Sequence, residues 1–212
     1  MIEAVDRLER RRPAALRLTK DGSLRLHEGL SAGWTGDIFV VRHDPDLRVI
    51  IVGHGAEPLA LARQVLAFGA EALVLSPDAI LLDQAALLGA ETERLLTPGR
   101  SPRLTADSHT AIVFLFHDHD WEPELLSQAL ETKAFYVGAM GSRATHARRM
   151  EELAVRGVQF VDIFRVAGPI GLIPAARDPD TLAISITAQM VAQYGAANRS
   201  DATAVSPAAR AI

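Results

Sequence analysis

Residues 14–42 alternate apolar and polar positions, as in "ALRLTKDGSLRLHEG" and "GDIFVVRHD". Such alternation sets one row of side chains on each face of a strand. Asp21-Gly22, between Leu16/Leu18 and Leu24/Leu26, predicts a hairpin, because Gly accepts the positive φ of a tight turn. A further strand at about 37–42 extends the hairpin into a small antiparallel sheet.

From Asp46 the pattern changes. "LRVIIVGHG" is a continuous β-branched run ending in glycines, as expected of a strand buried on both faces. A helix follows over "PLALARQVLAF", with Glu57 as a possible N-cap, Pro58 as a first helical residue and Gly69 as the stop. "ALVLSPD" reads as a second buried strand, 79–88 as a helix, and "ETERLLTPG" as a short third strand. "TAIVFLFHDHD" is the clearest later strand, followed by the helix "EPELLSQALE", the strand "AFYVGAMG" and a helix over 143–156. "VDIFRVAGPIG" holds a last short strand or turn. Asp178-Pro179 opens a helix through about Tyr194, which Gly195 is expected to stop. Strands alternating with helices predict an α/β fold, a mostly parallel sheet with helices on both faces.

Composition narrows the class. The chain has 212 residues, 49% hydrophobic, a formal net charge of −4 and no cysteine. A mildly acidic balance does not advertise nucleic acid or an anionic membrane, so any basic site is local. No apolar run reaches the roughly eighteen residues of a membrane span, and "MIEAVDRLERRRP" lacks the apolar stretch of a secretory signal. The expectation is a soluble cytoplasmic protein. Without cysteine, disulfides, thiolate ligands and cysteine nucleophiles are excluded.

Polar residues collect at the predicted strand ends, where ligands of such folds bind. In "VIIVGHGAEP", Gly53 and Gly55 match the first two glycines of a dinucleotide turn, and Asp78 ends the second strand at the spacing of a ribose-binding acid. NAD(P) is therefore one candidate ligand, and an oxidoreductase one alternative. Pro58 stands at the third glycine position, and Glu57 puts a carboxylate where a pyrophosphate would lie. A tight strand-to-helix turn with no ligand fits the same residues. His117, Asp118, His119 and Asp120 form a second cluster. Alternate residues of an extended chain share a face, so a metal site is one reading, with His146, His54 or Asp78 as a further ligand. A polar strand exit, with an Asp capping the next helix, is the plainer one.

The densest positive cluster lies in "AFYVGAMGSRATHARRM". Ser142 is a good N-cap, and Ala147, Met150, Leu153 and Ala154 form the apolar face of the helix it opens. Arg143 then sits in the first turn, where the helix dipole disfavours a cation by a few tenths to about 1 kcal/mol. A bound anion relieves that arrangement. Arg148 and Arg149 read as surface charges with Glu151 and Glu152 as local partners, and His146 carries no assigned role.

"FYVGAMGSRATHARRMEELAVRGV" resembles the signature of the XdhC/CoxI family, the xanthine dehydrogenase accessory factors. "FLFHDHDWEPELLSQAL" and "GPIGLIPAARDPDTLAISITAQMVA" are similar to two further segments of that family, and the resemblance covers about residues 46–195. It implies a Rossmann-like domain, placed over 45–195; the alternating pattern puts a small antiparallel extension, 1–44, before it, and an Ala-, Ser- and Asn-rich composition a flexible tail, 196–212, after it. It implies binding of molybdenum cofactor (molybdopterin) and its transfer to a xanthine dehydrogenase-type molybdenum hydroxylase, by a homodimer that is a maturation factor rather than an enzyme. An adaptor that binds only the partner enzyme is an alternative. On this resemblance Gly138, Gly141, Ser142 and Arg143 cradle the anionic group. Gly168, Pro169, Ile170 and Gly171 form a facing wall, and Gly53, Gly55, Asp78 and His117 complete the crevice.

Overall fold

The computed structural model describes residues 2–117 and 120–204. The chain divides into two compact units. Among the described residues, Ile2–Asp46 group with 195–204, and Leu47–Tyr194 form the second unit.

The first unit opens with α1 (Ile2–Glu9), an element the sequence pattern did not announce. Strands β1 (Ala14–Thr19), β2 (Leu24–His27), β3 (Gly33–Thr35) and β4 (Ile38–His43) follow. They form an antiparallel sheet in the order β2-β1-β4-β3. The expected hairpin is present, with Leu18 opposite Leu24 and Gly22 at φ +82° in its turn.

The second unit contains β5 (Arg48–Gly53), α2 (Ala56–Ala67), β6 (Glu71–Ser76), α3 (Ala79–Leu87), β7 (Glu91–Arg94) and β8 (Thr110–Leu115). It continues through α4 (Glu122–Leu130), β9 (Tyr136–Ala139), α5 (Arg143–Val155), α6 (Phe160–Ile163), β10 (Val166–Ala167) and the start of α7 (Pro179–Ala204). Its six strands are all parallel, in the order β10-β9-β8-β5-β6-β7. The chain winds outward from β5 to β6 and β7, returns, and winds the other way through β8, β9 and β10. This is the expected doubly wound, Rossmann-like architecture.

Period-two alternation divides the core between the two faces. Val49 and Ile51 of β5 pack with Leu61 and Val65 of α2, Leu81 and Leu82 of α3, and Ile186 and Met190 of α7. Ile50 and Val52 point the other way, toward Leu125 and Leu126 of α4 and Leu153 of α5. All four β5 side chains are fully buried, and each contributes about 1.5–3 kcal/mol. A strand buried on both faces needs this unbroken apolar run.

Two helix boundaries differ from expectation. α2 begins at Ala56 with Gly55 at its N-cap, at φ +95° and ψ −160°. Glu57 therefore lies inside the first turn and caps nothing. α7 runs through Gly195 to Ala204. Glycine stops a helix by adopting the left-handed conformation, and in a helix interior it costs only about 1 kcal/mol.

β5 and β8 approach closely where both end. A Cβ added to Gly53 would stand 2.4 Å from the Leu115 carbonyl oxygen and 2.7 Å from its carbon. Backbone cannot yield as a flexible side chain does. Gly53→Ala is expected to lower unfolding stability by about 2–3 kcal/mol in denaturant titrations. Unchanged stability would contradict this packing.

Candidate functional site

The sheet brings β10, β9, β8 and β5 side by side, and all four end at one edge. Neighbouring strands lie about 4.8 Å apart, so the turns leaving β5 and β9 are separated by about 10 Å, with β8 between. Gly53 and Gly55, His117, Gly138 to Arg143, and Gly168 to Gly171 thus gather along one rim. The strand order reverses between β5 and β8, and a crevice at such a reversal is where open α/β sheets bind ligands.

At the β5 turn, no side chain caps the first N–H groups of α2. Glu57 supplies a negative charge there instead. Its Oε1 is 3.1 Å from His117 Nε2, and the carboxylate is largely buried while the imidazole is exposed. The His117 ring also lies 6.2 Å from that of His54, which meets Phe116 edge-on at 5.4 Å. A helix N-terminus attracts anions, and here the protein's own carboxylate sits in that first turn.

The β9 turn differs. Met140 donates its N–H to the Phe114 carbonyl at 2.9 Å. Gly141 follows at φ +143°, and its added Cβ would meet Thr145 Cγ2 at 2.9 Å. Ser142 is the N-cap of α5, as expected, and its Oγ accepts from the Thr145 N–H at 3.1 Å. Arg143 is exposed at the head of the helix. No described residue offers it an ion pair or hydrogen bond, and the first N–H groups of α5 have no acceptor within the helix. A guanidinium beside free backbone donors is an anion-binding arrangement.

Arg149 corrects the sequence reading. It is not a surface charge: it is 6% exposed and paired with the equally buried Glu122 of α4. The buried face of α5 carries Arg149 and Leu153, one turn apart, while Ala147 and Ala154 are exposed. That i, i+4 spacing was a signal in the sequence, masked by the charge of Arg149. Arg148 is a surface charge, exposed and 3.8 Å from Glu152.

The segment after β10 is held mainly by contacts within the protein. An added Cβ on Gly168 would lie 2.3 Å from His146 Nδ1, and one on Gly171 would lie 2.5 Å from Ser185 Oγ. Ile170 is buried in the core among Leu182, Ile186 and Met190, whereas Pro169 is exposed. Gln189 Oε1 accepts from Gly171 N–H and from Tyr136 hydroxyl, both at 2.8 Å. Gly138 is likewise tight, since its Cβ would fall 2.6 Å from the Tyr136 ring. The packing of the chain against itself accounts for glycine at 53, 138, 168 and 171.

Asp78 lies two residues past the end of β6, on the far side of β5. Its carboxylate caps α3, accepting from Ile80 N–H at 2.9 Å and Leu81 N–H at 3.3 Å. Asp118 and His119 lie outside the described residues. Asp120 does not cap α4, whose N-cap is Trp121 with no side-chain bond. Among the described residues no group of three His, Asp or Glu side chains is placed to hold a metal ion. Nor is any described helix long and apolar enough to cross a membrane.

Fold and rim together define a doubly wound α/β domain with a cationic glycine turn beside its strand-order reversal. The model of the XdhC Rossmann domain matches residues 49–190. The chain belongs to this family. It is 30% identical over 192 residues to the molybdenum cofactor insertion chaperone PaoD of Escherichia coli, covering 90% of this chain and 54% of that one. It is 23% identical over 202 residues to the uncharacterized protein YqeB of Escherichia coli, covering 89% of this chain and 35% of the other. The chain thus spans about half or less of the length of these two relatives. A Bacillus halodurans crystal structure described as a xanthine dehydrogenase superposes with a TM-score of 0.72 at 20% identity, over 97% of this chain and 65% of that one, and shares the fold.

His146 gives the rim a pH dependence. Burial, and next the Arg149 charge, hold its imidazole below the ordinary value of 6.5. The unfolded chain then binds that proton more readily than the folded one. The stability linked to His146 is present above about pH 6.5 and lost as pH falls through the lower folded value. The urea midpoint of the parent is expected to fall more steeply between pH 7 and 5 than that of His146→Gln. Identical slopes would refute the shift.

Proposed function

We propose that the protein binds molybdenum cofactor through the β9–α5 turn and carries it to a xanthine dehydrogenase-type molybdenum hydroxylase. The observation that carries this reading is Arg143, an exposed guanidinium with no partner among the described residues, at the Ser142-capped start of α5. The relative PaoD bears the name of a molybdenum cofactor insertion chaperone and supports the choice of ligand.

The residues present fit the anionic end of that cofactor. Arg143 offers a bidentate guanidinium, and the first N–H groups of α5 offer oriented donors. Glu57 already supplies an anion to the α2 turn, so like-charge repulsion steers a phosphate toward α5 instead. The chain has no cysteine, so it supplies no thiolate to molybdenum. When bound, the cofactor supplies the redox-active metal that the client enzyme uses. The roles left to this chain are holding the phosphate, orienting the pterin along the rim and shielding it until transfer. Gly53, Gly55 and His117 would line one side of the bound group, and the Gly168–Gly171 segment the other. A cytoplasmic homodimer, with 45–195 as its binding part, completes the proposal.

The test uses cofactor released anaerobically from a purified molybdenum hydroxylase. Arg143→Ala is expected to weaken its binding by about tenfold or more, the worth of a charged hydrogen bond, with an unchanged melting temperature. Equal affinity of the two proteins would remove the anion cradle.

A further inference from the structure

Beneath the β9–α5 turn, Arg149 and Glu122 form a buried ion pair between α5 and α4. Arg149 Nε donates to Glu122 Oε1, and Nη2 donates to Oε2 at 3.2 Å. Nη2 also donates to the Met140 carbonyl at 2.8 Å. Nη1 is buried without a hydrogen-bond partner among the described residues, beside a cavity of about 10 Å³.

As a device for stability this is a poor choice. Desolvating two charges offsets most of their attraction, and apolar residues of similar volume commonly join helices as well or better. The unpaired Nη1 adds a further cost. An apolar pair lacks only one thing, a donor for the Met140 carbonyl. That carbonyl immediately precedes Gly141, and the Met140 N–H is already bonded to Phe114. The two bonds fix the Met140 peptide groups from both sides, just where the chain turns toward Ser142 and Arg143.

We infer that Arg149 and Glu122 are positioning residues: they clamp Met140 and so set the angle at which the Gly141–Arg143 turn presents its cation and free N–H groups to an anionic ligand. Glu122 fixes the guanidinium, and Arg149 passes that order to the turn without touching the ligand. This rests on the ligand-binding reading above, but the geometric half is testable without any ligand.

The experiment compares the parent with the double variant Glu122→Leu/Arg149→Met and with Arg149→Lys. Lysine keeps a charge near Glu122 but lacks the planar fork that spans both acceptors. Three quantities are read: melting temperature, hydrogen exchange of the Met140 and Thr145 amides, whose N–H groups are bonded to Phe114 and Ser142, and affinity for the released molybdenum cofactor. The double variant is expected to melt within a few degrees of the parent. Those two amides should exchange about tenfold faster, because the local opening has lost an anchoring bond. Its affinity should fall about tenfold, as misplaced donors lose their grip. Arg149→Lys should show the same local change, which keeps the test decisive if the double variant does not fold. Parent-like exchange and affinity in a folded variant would overturn the inference. If the parent itself does not bind cofactor, the functional reading fails, and exchange alone still decides the clamp.

Discussion

β5 is hydrogen-bonded along one edge to β6 and along the other to β8, all three parallel. The rest of the arrangement depends on this. Parallel partners on both edges require crossovers over both faces, which bury Val49–Val52 of β5 completely. Because the second half of the winding restarts beside β5, neighbouring connections leave in opposite directions and the strand ends stay accessible between them. The glycine at position 53 follows, since Leu115 lies too close for any side chain.

Electrostatics then distinguishes two turns of similar appearance. Both leave a strand through glycine and enter a helix. At the first, Glu57 and His117 pair across the reversal. At the second, the helix opens with Arg143, and Glu122 beneath the turn is already committed to Arg149. A cation at a helix start is disfavoured by the dipole, so its presence is better matched to a ligand than to the fold.

Much of the sheet was legible because a strand buried on both faces needs the continuous apolar runs of "RVIIVG" and "TAIVFL". Ser142 was legible as a cap for a comparably local reason. The burial of Arg149 was not, because charge argues for a surface position. Only the rotation of α5 about its axis, set by Leu153 in the core, turns Arg149 inward. The glycines were legible as special positions but not in their purpose. A missing side chain serves a ligand or a neighbour equally well, and four of them prove to serve Leu115, Tyr136, His146 and Ser185. α1 escaped notice although Ile2, Val5 and Leu8 recur at helical spacing, because that period spans only eight residues.

The most direct measurement is the location of molybdenum, by anomalous scattering, in crystals of the protein reconstituted anaerobically with cofactor. The metal and its pterin are expected along the rim formed by the ends of β5, β8 and β9, with the phosphate against the Gly141–Arg143 turn. A cofactor bound at the opposite edge of the sheet, or against the sheet of β1–β4, would contradict this assignment of the site.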